Sequence, residues 1–245
     1  MLTEKKRLYY SLFIPVILVI ILWLIKLVEE VTGTDFASFG IYPRKLFGLW
    51  GILFSPLLHS NWAHLYANTI PLLILSTALF YFYKDIGLKI FLLIYFTTNI
   101  LVWIMAREAY HIGASGLVYG FTSFLLLSGI IRRHNRLMAL SMFILFLYGS
   151  IIWGAFPNFY PDKDISWEAH MMGLISGIIY AIIFRKEGPQ RPVYHWDEDN
   201  DDVNNDGLVD DYYLDIKPES DNNMEEKTEK IDDIPKFSDN ISHTL

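Results

Sequence analysis

The sequence contains no cysteine among its 245 residues. That absence excludes disulfides, thiolate metal sites and a cysteine nucleophile, and it leaves the redox compartment undecided. There is no HExxH pattern, the usual helix-borne zinc peptidase motif. There is no internal repeat. The long apolar stretches lack the paired charges that a transporter places near mid-membrane, apart from Lys26 close to the end of the first stretch. What is abundant is apolar: 53% of residues are hydrophobic and 16% aromatic, with a mean hydropathy of +0.29. A soluble domain of this length rarely combines these values, so a membrane protein is the first class to test.

Charge is unevenly spread. Residues 1–188 carry 15 Lys/Arg and 10 Asp/Glu, a net +5, whereas residues 189–245 carry 5 and 17, a net −12, which together recover the formal −7. The acidic balance belongs to a tail and argues against nucleic-acid binding. After Gly188 the composition turns to Pro, Asp, Glu and Asn without an apolar stripe, so 189–245 reads as a disordered acidic tail and 1–188 as the folded domain. Within the tail, Asp202, Asn204, Asp206, Gly207 and Asp210 echo a calcium loop. Its twelfth position would be Tyr213, where a bidentate acid is needed, and no helical pattern flanks it. A plain acidic tail is the better reading.

A bilayer-spanning helix needs about 20 mainly apolar residues. Six stretches meet or approach this, roughly 8–28, 63–83, 88–106, 115–131, 137–156 and 168–184. The first is too long and lacks the small-residue exit of a cleaved signal peptide, so it reads as a span. The fourth and sixth are short with polar starts, which suits a bundle interior. Basic flanks set the direction. Lys5, Lys6 and Arg7 precede the first span, Lys84 and Lys89 follow the second, Arg132, Arg133 and Arg136 follow the fourth, and Arg185 and Lys186 follow the sixth. All fall on one side of a six-span topology, which places both termini in the cytoplasm. The outer loops keep Arg44, Lys45, Arg107 and Lys163.

Polar residues inside such spans need an explanation, and here they concentrate at three helix starts. His59, Asn61, His64 and Asn68 surround the start of the second span. His111, Gly113, Ser115 and Tyr119 surround that of the fourth, and Glu168 and His170 open the sixth. The topology puts all three regions at one depth. Ser115 lies in Gly113-Ala114-Ser115-Gly116, where a loop turns into a helix. Glycines there permit a sharp bend and close substrate approach, and the free N–H groups of a helix start favour an anion. A serine hydroxyl attacks only when a base takes its proton, and Ser115 could equally be a helix cap. His170 is a candidate base, or a buried histidine bonded to a carbonyl. Gly173 and Gly177 share its helix face, and Gly116 and Gly120 offer a matching small-residue pair on the fourth span. His64 and Asn68, four residues apart, stack on one face and could donate to a developing oxyanion together with the Ser115 N–H, or simply bond between helices. His59, near the water boundary, reads as structural.

The motifs His59-x4-His64-x3-Asn68, Gly113-x-Ser115-Gly116-x2-Tyr119 and Ala169-His170-x2-Gly173-x3-Gly177 together resemble the rhomboid intramembrane proteases, over roughly residues 8–186. The resemblance implies an all-α membrane protein, a six-transmembrane-helix bundle followed by the disordered acidic tail. It implies a serine endopeptidase with Ser115 as nucleophile and His170 as general base, His64, Asn68 and the Ser115 N–H receiving the oxyanion, and Tyr119 packing on the His170 ring. Gly113, Gly116, Gly173 and Gly177 support the site, no metal or cofactor is implied, and the partners are transmembrane protein substrates within the lipid bilayer. The segment Gly40–His59 corresponds to the family's first outer loop. Arg44 corresponds to the loop's usual arginine, but the tryptophan often found beside it is absent and Pro43 precedes it, so the loop's role is inferred and not matched. Trp153 and Phe156 are candidates for a lateral gate or for interfacial anchors, and Glu168 for a contact behind His170. The positive-inside pattern and short N-terminus suit a bacterial inner membrane.

Two rivals remain. His59, His64, His111 and His170 are enough imidazoles for a zinc peptidase, but no acid is placed to complete the site. A catalytically silent rhomboid-like protein that binds membrane helices would lack Ser115 or His170, and both are present.

Overall fold

The computed structural model describes residues 4–156 and 166–191, all within one compact unit, Met1–Val193. Residues 192–245, with the calcium-loop echo, and Lys163 lie outside the described residues. The architecture is all-α. Seven α-helices occur among the described residues: α1 (Glu4–Thr32), the single turn α2 (Gly51–Phe54), α3 (Trp62–Phe82), α4 (Gly87–Met105), α5 (Ser115–Arg132), α6 (Asn135–Tyr148) and α7 (Trp167–Ile183). Helices α1, α3, α4 and α5 are long and apolar enough to cross a membrane, and α6 and α7 are shorter apolar helices. Their outward faces are apolar as well: Phe13, Ile20 and Leu24 on α1, Leu88 and Ile104 on α4, and Ile178 and Ile182 on α7 are all exposed. No aqueous surface sustains so much exposed hydrocarbon. The protein is an integral, multi-pass membrane protein.

Helix α5 is the axis of the bundle. Most of its residues are buried, including Gly116, Tyr119, Gly120, Phe121 and Phe124. It packs most extensively on α7 and also on α3, α4 and α6, while α1 leans on α3. The core between them is formed by Leu65, Leu72, Leu75, Leu79, Ile90, Ile94, Phe121 and Phe124. The α5–α7 contact is made possible by glycine. A side chain at Gly173 would strike the Gly116 carbonyl, and one at Gly177 would strike the Gly120 carbonyl and the Ser123 hydroxyl. Backbones this close gain dispersion contacts that larger residues would forbid. The opposite face of α7 stays exposed at Ile178 and Ile182, so of the two spans expected inside the bundle α5 is the more enclosed.

The fifth stretch departs from its expected helix. The α-helix ends at Tyr148, and Gly149–Ala155 continues as a 3₁₀ segment. The tighter winding rises about 2 Å per residue instead of 1.5 Å, so the two pieces together still reach about 35 Å.

The segment between α1 and α3 is sutured to the bundle by backbone bonds. Ile41 and His111 exchange N–H···O bonds of 3.0 and 2.9 Å. Arg44, at φ 59°, bonds Trp103 through its N–H at 3.0 Å and reaches the Ala106 carbonyl with Nη1 at 2.6 Å. The loop arginine therefore closes the free C-terminal carbonyls of α4.

Candidate active site

The starts of α3, α5 and α7 meet at one end of the bundle. Asn61 caps α3, its side-chain oxygen accepting the His64 N–H at 2.8 Å. This fixes the first turn that carries His64, with Asn68 one turn on. Asn68 is buried and donates to the His64 carbonyl at 3.1 Å; the amide has a second N–H to give. The His64 ring lies over Gly113: a Cβ built there would sit 2.7 Å from Cε1 and 2.9 Å from Nε2. Gly113 is also at φ 117°, which disfavours any side chain. Its N–H donates to the Ser55 carbonyl at 2.9 Å, anchoring the turn.

That turn delivers Ser115 as the first residue of α5. Ala114 occupies the N-cap position, and no side chain caps the helix. The alternative of a capping serine is thereby removed. The Ser115 hydroxyl meets the His170 Nε2 at 2.9 Å, and His170 Nδ1 lies 2.8 Å from the Gly154 carbonyl oxygen. Tyr119 stacks on the imidazole with ring centroids 4.2 Å apart and planes 6° from parallel. His170 is 9% exposed, reachable but largely dry. Gly116 allows α7 to approach, since a Cβ there would lie 3.1 Å from the Ala169 carbonyl.

A second serine–histidine contact exists. His111 Nδ1 lies 2.6 Å from Ser166 Oγ, and its Nε2 lies 3.0 Å from the Arg107 carbonyl. Ser166 is already the N-cap of α7, its hydroxyl oxygen accepting the Ala169 N–H at 3.4 Å. Its hydroxyl is thus engaged in capping, whereas Ser115 caps no helix and lies within the first turn of α5. The His111 backbone carries the bridge to Ile41, and its carbonyl accepts from Ser55 at 2.7 Å. Burial lowers the His111 pKa, against the opposing pull of the Arg107 carbonyl and Glu168. This cluster ties the loop to the α7 start. Glu168 belongs with it: buried, it faces Arg107 Nη1 at 3.3 Å, so its partner is the segment after α4 and not His170.

His59 is more enclosed than a water-boundary residue, at 2% exposure. Its ring stands edge-on to His64, centroids 5.0 Å apart, and its Nε2 faces the Ala114 N–H at 3.5 Å. Trp153 and Phe156 are both exposed and tilt against each other with centroids 6.4 Å apart. Among the described residues, no group of three His, Asp or Glu lies close enough to hold a metal ion. The Gly154 carbonyl was invisible to sequence reasoning, because a backbone acceptor has no residue-type signature.

A rhomboid-domain family model matches residues 47–187, more than half of the chain. The chain belongs to the rhomboid family. Uncharacterized proteins of Mycobacterium tuberculosis and Mycobacterium bovis are each 35% identical to this rhomboid over 183 residues, covering 71% of the chain and 74% of the relative. One from Mycobacterium leprae is 34% identical over 185 residues, covering 70% and 69%. Family membership and the buried serine–histidine hydrogen bond in a membrane-embedded bundle make this rhomboid a serine-type endopeptidase.

Proposed function

We propose that this rhomboid cleaves transmembrane protein substrates near the outer face of the membrane, with Ser115 as nucleophile and His170 as general base. The observation that carries the assignment is the 2.9 Å contact between Ser115 Oγ and His170 Nε2 at the start of α5. The Ser115 hydroxyl attacks a peptide carbonyl while its proton passes to His170 Nε2. The oxyanion receives the Ser115 N–H and the side chains of His64, which lies over Gly113, and Asn68, one helical turn beyond it; these placements support that role. Collapse of the intermediate breaks the C–N bond, and the proton on His170 goes to the leaving amine. A water, deprotonated by His170, then hydrolyses the acyl-enzyme and restores Ser115. Substrates with helix-breaking, small-residue segments are favoured, because a fully bonded helix hides its carbonyls.

The chain crosses the membrane six times by α1, α3, α4, α5, α6 with its 3₁₀ extension, and α7. Both termini are cytoplasmic, in a bacterial inner membrane, with 1–188 as the protease domain and 189–245 as an acidic tail. The positive-inside pattern supports this direction. The deciding experiment is labelling of the detergent-purified protein with a fluorophosphonate probe. Wild type is expected to label, Ser115→Ala to lose labelling entirely and His170→Ala to lose nearly all of it, with zinc chelation leaving the rate unchanged. Equal labelling of Ser115→Ala and wild type would sink the assignment. A wild type that binds membrane helices without labelling would favour a silent rhomboid-like protein.

A further inference from the structure

We infer that the backbone carbonyl of Gly154 is a positioning group of the proteolytic site: it selects the tautomer of His170 that can act as base. The inference rests on the serine protease reading above. A carbonyl oxygen only accepts hydrogen bonds, so the 2.8 Å contact with Nδ1 requires that this nitrogen carry the proton. A neutral imidazole has one N–H. Nε2 is therefore bare and accepts from the Ser115 hydroxyl at 2.9 Å. Tyr119 stacking fixes the plane of the ring but not which nitrogen is protonated. In sites built with an aspartate, that group sets the tautomer; here a carbonyl does so without adding a buried charge.

The identity of residue 154 follows from the same geometry. A Cβ at this position would collide with the Tyr119 hydroxyl and lie 3.6 Å from His170 Nδ1. Only glycine lets the chain pass close enough for its carbonyl to reach the ring. Ala155, next in sequence, is fully buried and anchors the segment. The acceptor thus comes neither from α5 nor from α7. It is delivered by the 3₁₀ segment Gly149–Ala155, which also carries the outward-facing Trp153. The base is complete only while that segment is seated against Tyr119.

The test weakens one carbonyl without altering any side chain around the ring. Ala155 is replaced by lactic acid in the full chain, which turns the 154–155 amide into an ester and makes the Gly154 carbonyl a poorer acceptor. The α-hydroxy analogue of tryptophan at position 153 serves as control for ester damage to the segment. Fluorophosphonate labelling of Ser115 is expected to slow about threefold to tenfold in the first protein, the loss produced by weakening one well-placed hydrogen bond, and to stay within about twofold of wild type in the second. The ¹⁵N shifts of His170, assigned against His170→Ala, are expected to show a protonated Nδ1 and a bare Nε2 in wild type. A labelled wild type whose rate is unaffected by the residue-155 ester, or affected equally by both esters, would overturn the inference alone, as would an Nε2–H tautomer. Absence of Ser115 labelling in wild type would overturn the protease reading and the inference with it.

Discussion

His59 sits behind the serine-bearing turn, edge-on to His64 and facing the Ala114 N–H. Burial, followed by the charge of His64, pushes its pKa from 6.5 down to about 3. The folded protein therefore holds this ring neutral where the unfolded chain would protonate it. Between pH 6.5 and about 3 the unfolded state binds one more proton, so stability falls as pH falls through that window, by up to about 1.4 kcal/mol per pH unit, and is level above it. His111, also lowered by burial, acts in the same direction. Thermal unfolding in detergent from pH 7.5 to 4.5 is expected to show a falling Tm, with a shallower fall in His59→Gln. Equal slopes would remove His59 as a source. At this scale the sequence named the right residue types but undervalued His59, because enclosure depends on a loop folding over it.

Between elements, the decisive contact is α5 against α7. The spacing of Gly173 and Gly177, and of Gly116 and Gly120, was legible because four-residue intervals stack on one helix face. The structure adds the consequence: a methyl at position 173 meets the Gly116 carbonyl, which is backbone and cannot swing away. Gly173→Ala is expected to destabilise the protein by about 1–3 kcal/mol and to displace His170 from Ser115. A lowered Tm with labelling reduced more than the Tm loss explains would be the readout; unchanged Tm and labelling would contradict the close packing. The break in the fifth stretch at Tyr148 was not legible. Gly149 and Gly154 mark a weak helix, but an apolar run reads the same whether its backbone is α or 3₁₀.

For the whole molecule, the open quantity is direction across the bilayer. The absence of cysteine makes this directly measurable. Thr34 is exposed between α1 and α3, and Lys84 between α3 and α4. Thr34→Cys is expected to react with an impermeant maleimide in intact bacterial cells, and Lys84→Cys only after permeabilisation. The reverse pattern would invert the topology and place the active site inside.

The sequence by itself determined that this is a helical membrane protein, because apolar length is a local property of the chain, and its motifs already resembled those of the rhomboid family. Tertiary structure alone decided which polar groups meet. Among the described residues Ser115 meets His170 and His111 meets Ser166, each pair separated by 55 positions, while His64 meets Ser60 only four positions away. Ser166 is a helix cap, whereas Ser115 caps no helix and lies at the start of one. The carbonyl that orients His170 comes from Gly154, sixteen positions away in the 3₁₀ segment. Such partnerships arise when helices pack, and no residue type or local spacing encodes which backbone oxygen will arrive.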